Sequence, residues 1–343
     1  MNKLNTIDKL IFVVNVVIAT LLLLSYILPF IPPKAFPLLS VLSLGVPFLI
    51  IVNALFFLYW LLKVKKQLVV SLLVLAIGYV FFGSLYKFSS SKKSDFPESF
   101  TLMNYNVRLF NLYDWISDKD TKQNIEKLLL KNNPDILCMQ DYRPEKVAHL
   151  DAYSYKYEKI KGKKIKNGLA IFSKFPIINS GSVDFPDTSN NAVFADIVKG
   201  KDTLRVYNIH LQSFKIDANV DNLKNENSER LIKRLTNTFE MQQKQAELFL
   251  EHKKNCNYPV LISGDFNNTA FSYVYKEIKG EDLQDAFKVA GNGFGRTYDF
   301  KFFPIRIDFI LVDKTIQIKR FKTFDDKLSD HYPVMATLSL PAQ

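Results

Sequence analysis

The 343 residues carry a formal net charge of +11 and are 48% hydrophobic, with only two cysteines. Two thiols permit one disulfide without requiring it, and they exclude a thiolate zinc site by number. A strongly basic chain ordinarily points to a nucleic-acid partner. Here nine of the 45 Lys and Arg, but only one of the 34 Asp and Glu, precede Asp95, so the remainder carries +3 and the global charge is poor evidence for such a partner.

Leu10 to Leu28 is interrupted only by Asn15, Thr20 and Ser25, while Leu38 to Leu62 and Leu68 to Tyr86 are free of charge. Each is long enough to cross a hydrocarbon core of about 30 Å as a helix. The expectation is a membrane region over 1–88 with three transmembrane helices, at about 10–30, 38–62 and 68–87. A cleaved signal peptide would account for the first run alone, but Pro29, Pro32, Pro33 and two further apolar runs follow it. Gly45 and Pro47 predict a kink in the second helix. Lys3, Lys9, Lys63, Lys65 and Lys66 fall on one side, against Lys34, Lys87, Lys92 and Lys93 on the other. The crowding of Lys63, Lys65 and Lys66 in one short loop places the N-terminus in the cytoplasm. The following domain is then extracytoplasmic, periplasmic in a bacterial inner or plasma membrane. None of the three apolar runs contains a charged residue, so the usual mark of a transport path is missing. The run Ser89 to Ser94 reads as part of a linker over 89–98.

From Ser99 on, β-rich runs end in polar groups. Asp118 or Asp120 is placed to cap a helix carrying Ile125, Leu128 and Leu129. A longer helix, about Ser228 to Lys253, repeats Leu231, Leu235, Phe239, Gln242, Ala246, Phe249 and Leu250 on one face, with Glu226 and Glu229 at its start. The strands carry more chemistry. Leu102 to Arg108 includes Asn106, Pro134 to Asp141 delivers a carboxylate, and Val206 to Leu211 holds Asn208 and His210. Pro259 to Asn267 ends in Gly264-Asp265-Phe266-Asn267, Arg306 to Leu311 contains Asp308, and Ser329-Asp330-His331-Tyr332-Pro333 closes the series. Rigid strands that end in polar residues can aim several groups at one point. Carboxylates and amides suit a hard cation, and an imidazole adds a titratable group.

These ordered strings, with Gly168 to Lys174, resemble the endonuclease/exonuclease/phosphatase superfamily, which includes DNase I-like nucleases, neutral sphingomyelinases and inositol polyphosphate phosphatases. The resemblance runs from about Ser99 to the C-terminus. It implies an α/β fold, a four-layer sandwich of two mainly antiparallel sheets flanked by helices, with 99–343 as the catalytic domain. Position by position, it implies a metal site at Asp141, Asn106 and Asp330, with Asp141 as the main ligand of Mg²⁺ or Mn²⁺. It also implies that Asp265 and Asn267 orient or deprotonate the attacking water, that Asp308 holds His331, and that His210, Asn208 and Asn267 face the substrate. Asp141 stands where the family usually has Glu, one methylene longer. The repair nucleases of the superfamily generally carry Tyr where His210 stands, which argues against base-excision repair. The function implied is a membrane-tethered metal-dependent phosphoesterase without a nucleotide cofactor, most simply a nuclease. A lipid phosphodiesterase or a phosphomonoesterase is the alternative, and a phosphate-binding membrane protein without activity is a third.

Each position also has a plainer reading. A lone His in an apolar strand is usually a satisfied core residue, Asp308 has Arg306 close by as an ion-pair partner, and Asp330 and Asn267 are residue types that cap turns. Lys156, Lys159, Lys161, Lys163, Lys164 and Lys166, around a turn at Gly162, form either a polyanion clamp or a solvated, edge-protecting hairpin. Lys215 to Asn227 reads equally as a substrate-facing lid or a solvated loop.

Overall fold

An apolar run with a polar residue just before it carries its own helix start. Asn5 supplies that start, its side chain accepting a hydrogen bond from the Asp8 N–H at 2.7 Å. The computed structural model describes residues 4–79, 85–88, 98–144, 150, 153–162, 164–215, 227–300 and 303–341. Among the described residues four α-helices come first: α1 Thr6–Ser25, α2 Pro37–Val41, α3 Val46–Leu62 and α4 Leu68–Ile77. A 3-10 turn, Leu42–Gly45, joins α2 to α3 and forms the break expected from Gly45 and Pro47.

Two helical stretches, Thr6–Phe30 and Pro37–Leu62, are long and apolar enough to cross a bilayer. Only 22% and 28% of their apolar windows are buried within the protein, so most of that surface faces outward. The third expected span is helical over Leu68–Ile77, shorter than a bilayer crossing, and its part at 80–84 lies outside the described residues. Polar side chains line the seam between helices. Asn15 Nδ2 donates to Ser71 Oγ at 2.7 Å, and Trp60 Nε1 donates to Asn15 Oδ1 at 2.9 Å. Such bonds hold helices together where no water competes.

Among the described residues, fourteen strands follow. Strands β1 Phe100–Asn106, β2 Ile136–Tyr142, β3 Tyr155–Lys161 and β4 Asn167–Ser173 come first. Next are β5 Ile177–Asp184, β6 Asn191–Lys199, β7 Asp202–His210, β8 Val260–Asp265 and β9 Leu283–Asp285. The last are β10 Tyr298–Phe300, β11 Phe303–Ile305, β12 Asp308–Asp313, β13 Gln317–Thr323 and β14 Val334–Ser339. One sheet has the order β13-β14-β1-β2-β4-β3 and the other β5-β6-β7-β8-β12-β9, with β10-β11 a separate hairpin. Each large sheet contains one parallel pair, β1 with β2 and β7 with β8; the remaining pairs are antiparallel. A parallel pair needs a crossover, and helices supply it: α5 Thr121–Asn132 between β1 and β2, and α6 Ser228–Lys254 between β7 and β8. The core between the sheets is apolar, drawing on Leu102, Ile136, Ile171, Val193, Val206, Leu261 and Ile310. This is the expected two-sheet sandwich with helices outside.

Asp118, rather than Asp120, organises the start of α5: its carboxylate accepts from the Asp120 N–H and from Asn124 Nδ2, while no side-chain bond comes from Asp120. The Asn227 side chain caps α6, accepting from the Arg230 N–H at 3.0 Å. The lysine hairpin turns at Gly162, φ +99°, and its outer strand β3 is the sheet edge. Lys159 and Lys161 reach Asp184 of the other sheet at 3.4 and 3.2 Å, as an edge-protecting hairpin would. Cys138 is buried in β2, Cys256 lies beyond α6, and both are free. The linker at 89–97 and the polar stretch at 216–226 lie outside the described residues.

Gly264 fixes the approach of β8 to β7. A Cβ there would sit 2.0 Å from the Ile209 carbonyl oxygen, inside any real contact distance. Gly264→Ala is therefore expected to destabilise the folded chain by about 1–3 kcal/mol through forced backbone shifts, read as a lowered midpoint in chemical unfolding.

Candidate active site

In each central strand the inward-facing row of side chains grades from apolar to polar toward one end of the sandwich. The row in β1 is Phe100, Leu102, Asn104, Asn106; in β7 it is Leu204, Val206, Asn208, His210; in β8 it is Leu261, Ser263, Asp265. Strand β12 runs the other way, from Asp308 to Ile310 and Val312. Alternation with period two keeps each row on one face. The apolar ends therefore make the core, and the polar ends meet above it. Register completes the alignment, setting His210 opposite Asp265 and Asp265 opposite Asp308.

A layer of buried amides floors the site. Asn104 Oδ1 accepts from Gln140 Nε2 at 2.8 Å and from Ser263 Oγ at 2.9 Å, while Asn104 Nδ2 donates to Asp308 Oδ1 at 3.2 Å. Gln140 Nε2 also donates to Asn208 Oδ1 at 2.6 Å. Asn208 Nδ2 donates to the carbonyls of Met139 and Ala170 at 2.8 and 2.9 Å. Linked buried hydrogen bonds of this kind hold both sheets in one arrangement.

Above the floor, polar groups converge on the buried carboxylate of Asp265. Asn106 Nδ2 donates to its Oδ2 at 3.0 Å, and the Asn267 N–H donates to its Oδ1 at 2.7 Å. The Nε2 atoms of His210 and His331 lie 3.6 and 3.7 Å from Asp265 Oδ2. On its other side His331 Nδ1 donates to Asp308 Oδ2 at 2.9 Å, which fixes the ring's orientation. Burial pulls the His331 ring down, but the Asp308 and Asp265 carboxylates outweigh it and push the ring up to about 10. Burial likewise raises the Asp265 carboxyl, with Asp308 adding to the effect, while His331, His210 and the Asn267 N–H pull against it.

A cavity of about 690 Å³ opens over these groups, lined by Asn106, Asp141, His210, Asp265, Asn267, Asp330 and His331 among others. Asp308 stands behind His331, fully buried. Its neighbour Arg306 is no partner to it, since the guanidinium pairs with Asp285 at 2.9 Å. Asp141, next to last in β2, has a left-handed φ of +47° and, among the described residues, only long contacts, 3.4 Å from Asn167 Nδ2 and 4.0 Å from His210 Nδ1. Asp330 faces Arg108 at 3.2 Å and accepts from Ser329 Oγ. The Asn267 side chain donates to the Leu211 carbonyl at 2.9 Å and to Asp265 at 3.3 Å. Asn208, expected to contact substrate, belongs instead to the floor: it is fully buried and its amide is engaged with protein partners on both atoms.

Among the cavity residues that the sequence does not single out, four stand closest to the chemistry. Arg108 heads a run of four left-handed residues, Arg108 to Asn111, with φ between +41° and +60°. Such a backbone costs roughly 1–2 kcal/mol per residue, and it sets the guanidinium against Asp330 and over the Trp115 ring at 4.2 Å. Tyr298 lies edge-on to His331, ring centroids 5.1 Å apart, from a short hairpin that periodicity does not announce. Asn167 approaches Asp141. Asn191 sits opposite His210 in the β6–β7 register, buried, and its Nδ2 has no hydrogen-bond partner among the described residues.

The sequence matches the Endonuclease/Exonuclease/phosphatase family over residues 103–331, and a domain of unknown function over residues 8–85. No curated protein matches it. Among solved structures, an endonuclease/exonuclease/phosphatase from Bacteroides vulgatus is 21% identical with a TM-score of 0.56, covering 71% of this chain and 99% of that one. The mannosyl-6-phosphatase of Bacteroides thetaiotaomicron is 17% identical with a TM-score of 0.55, covering 71% and 100%. The D. rerio TDP2 complexed with single-strand DNA product is 17% identical with a TM-score of 0.52, covering 70% and 99%. The chain belongs to the endonuclease/exonuclease/phosphatase family, whose members are hydrolases acting on phosphoester bonds.

Proposed function

We propose that this protein is a membrane-tethered, divalent-metal-dependent phosphoesterase in which water attacks phosphorus directly. The observation that carries this reading is the convergence of two imidazoles and an amide on one buried carboxylate, with Asp308 bonded behind His331. Asp265, made a better base by burial, takes a proton from the attacking water, which Asn267 helps to orient. His331, held as a cation by Asp308, donates from Nε2 to a phosphate oxygen as charge builds there. His210 offers a second N–H, and Arg108 stands at the cavity wall as a further cation. The new P–O bond forms as the ester P–O bond breaks; the departing alkoxide takes a proton from solvent and Asp265 returns to solvent the one it received from the attacking water, so the sum is one water consumed per ester cleaved.

Two donor sets suit a divalent cation. Asp265, Asp308 and His331 offer ligand atoms within 4.8 Å of one another. Using them would break the Asp308–His331 hydrogen bond and strip a ring that holds its proton firmly. Asn106, Asp141 and Asp330 all line the cavity and offer oxygen ligands, better matched to Mg²⁺ or Mn²⁺. We assign the ion to that set, with Asp141 as principal ligand. When bound there it would supply positive charge to the phosphate. EDTA is expected to abolish hydrolysis by the full-length chain, and Mg²⁺ or Mn²⁺ to restore it. Asp141→Ala should raise the metal concentration for half-maximal activity by roughly tenfold or more; an unchanged requirement would move the ion to the other set.

The outward-facing apolar helices support the tether, with the catalytic domain on the extracytoplasmic side as the lysine distribution favours. Nucleic acid, the leading substrate on sequence grounds, rests on the family, in which one solved relative holds a DNA product and another is a sugar phosphatase. The lysine hairpin adds no support, because Lys159 and Lys161 are engaged with Asp184.

A further inference from the structure

We propose that the substrate is a lipid phosphoester, whose alkyl chain lies on an apolar wall of the active-site cavity built jointly by the membrane region and the catalytic domain; this rests on the phosphoesterase reading above. The cavity is lined by Leu44, Phe214, Leu231 and Leu235 as well as by the catalytic groups. These four side chains join Phe239 and Val41 in one apolar cluster. Leu44 comes from the 3-10 turn inside the second long apolar stretch, so the membrane region supplies part of the cavity wall itself. A tether alone has no need of that. Leu42 in the same turn and Phe48 just beyond it are 58% and 55% exposed, which carries apolar surface from the outer face of the helices toward the cavity.

The junction is built rather than incidental. The Lys34 N–H donates to Gln243 Oε1 of α6 at 2.8 Å, and the Lys34 side chain pairs with Glu247. Phe271 of the catalytic domain is buried in a cluster with Leu22, Leu28, Val46 and Ile50. A sugar phosphate or a nucleic-acid strand would leave the wall facing water or hydroxyl groups, whereas an alkyl chain removes it from water. At about 690 Å³ the cavity has the size of a site for a small amphiphile's head and upper chain.

The test is a series of p-nitrophenyl alkyl phosphodiesters, from methyl to dodecyl, kept below their micelle-forming concentrations and supplied with Mn²⁺ to the full-length protein in nanodiscs. The expected result is a kcat/KM at least about tenfold higher for dodecyl than for methyl, the equivalent of roughly two buried methylenes. Leu44→Gln and Leu231→Gln, both at half-buried positions, should each cut that dodecyl-to-methyl ratio several-fold. Hydrolysis that is independent of chain length, or a ratio unchanged in both variants, overturns the lipid assignment and leaves the phosphoesterase standing. A folded protein that cleaves no member of the series overturns the lipid assignment, and the phosphoesterase reading falls with it only if the same sample also leaves DNA and p-nitrophenyl phosphate intact.

Discussion

Replacing His331 with alanine is expected to lower kcat by about 10³-fold, the scale of a lost proton-handling group. The ring is the only described group bonded at once to Asp308 and set beside the Asp265 carboxylate, so no neighbour can take its place. Asp308→Asn should cost nearly as much, because an amide cannot hold the ring charged. Groups that act as a unit are not additive, and the double variant should fall no further than His331→Ala alone. Steady-state kinetics on the four proteins checks this, with unfolding midpoints to exclude a general loss of fold. Losses that multiply in the double variant would show that Asp308 and His331 work separately.

The second large effect concerns stability. Arg306 and Asp285 are both buried, joined by contacts of 2.9 and 3.1 Å, and the Tyr275 hydroxyl donates to Asp285 at 2.6 Å. The guanidinium also lies over the Phe287 and Phe309 rings, 4.6 Å from each centroid. Arg306→Met keeps much of the volume but strands a buried carboxylate, and should destabilise the protein by about 3–5 kcal/mol. Burial alone would raise the Asp285 carboxyl, yet Arg306 holds it below the ordinary carboxylate value. A lowered native value means that this contribution is fully present above the unfolded-state value and is lost as pH falls through the native one. The gap between wild type and Arg306→Met should accordingly narrow in acid. Unfolding curves at neutral pH and at about pH 3 and below, under the ordinary carboxylate value, measure it; a gap that widens in acid would contradict the pairing.

Most of the catalytic domain could be read from the sequence because its strands advertise both core and site. Rows such as Leu204, Val206, Asn208, His210 encode in order where the core ends and the chemistry begins. The ordered strings at Asn106, Asp141, His210, Asp265 and His331 carry the family and all line one cavity. Asn208 shows the limit of such reading: the strand places it on the correct face but one step too deep, so it ties sheets together instead of meeting substrate.

What stayed hidden depends on long-range approach or unusual backbone. Nothing in Arg108-Leu109-Phe110-Asn111 announces four left-handed residues, since none is glycine. Asn191 acquires its place only through the β6–β7 register, and Tyr298 only through a three-residue strand. The docking of Lys34 on α6 and of Phe271 among the apolar helices joins segments more than 200 residues apart. Composition separates the apolar N-terminal helices from the strands that follow, and only the structure shows Leu44 in the cavity wall.

The central claim is that water, directed by this site with a divalent cation, cleaves a phosphoester at phosphorus. The direct measurement is hydrolysis of a phosphoester panel by the full-length protein in ¹⁸O-enriched water, with Mg²⁺ or Mn²⁺ and with EDTA. The account predicts metal-dependent turnover with the label in the phosphate product. Label in the released alcohol, or no turnover of any nucleic acid, alkyl diester or phosphomonoester by a folded chain, would contradict it.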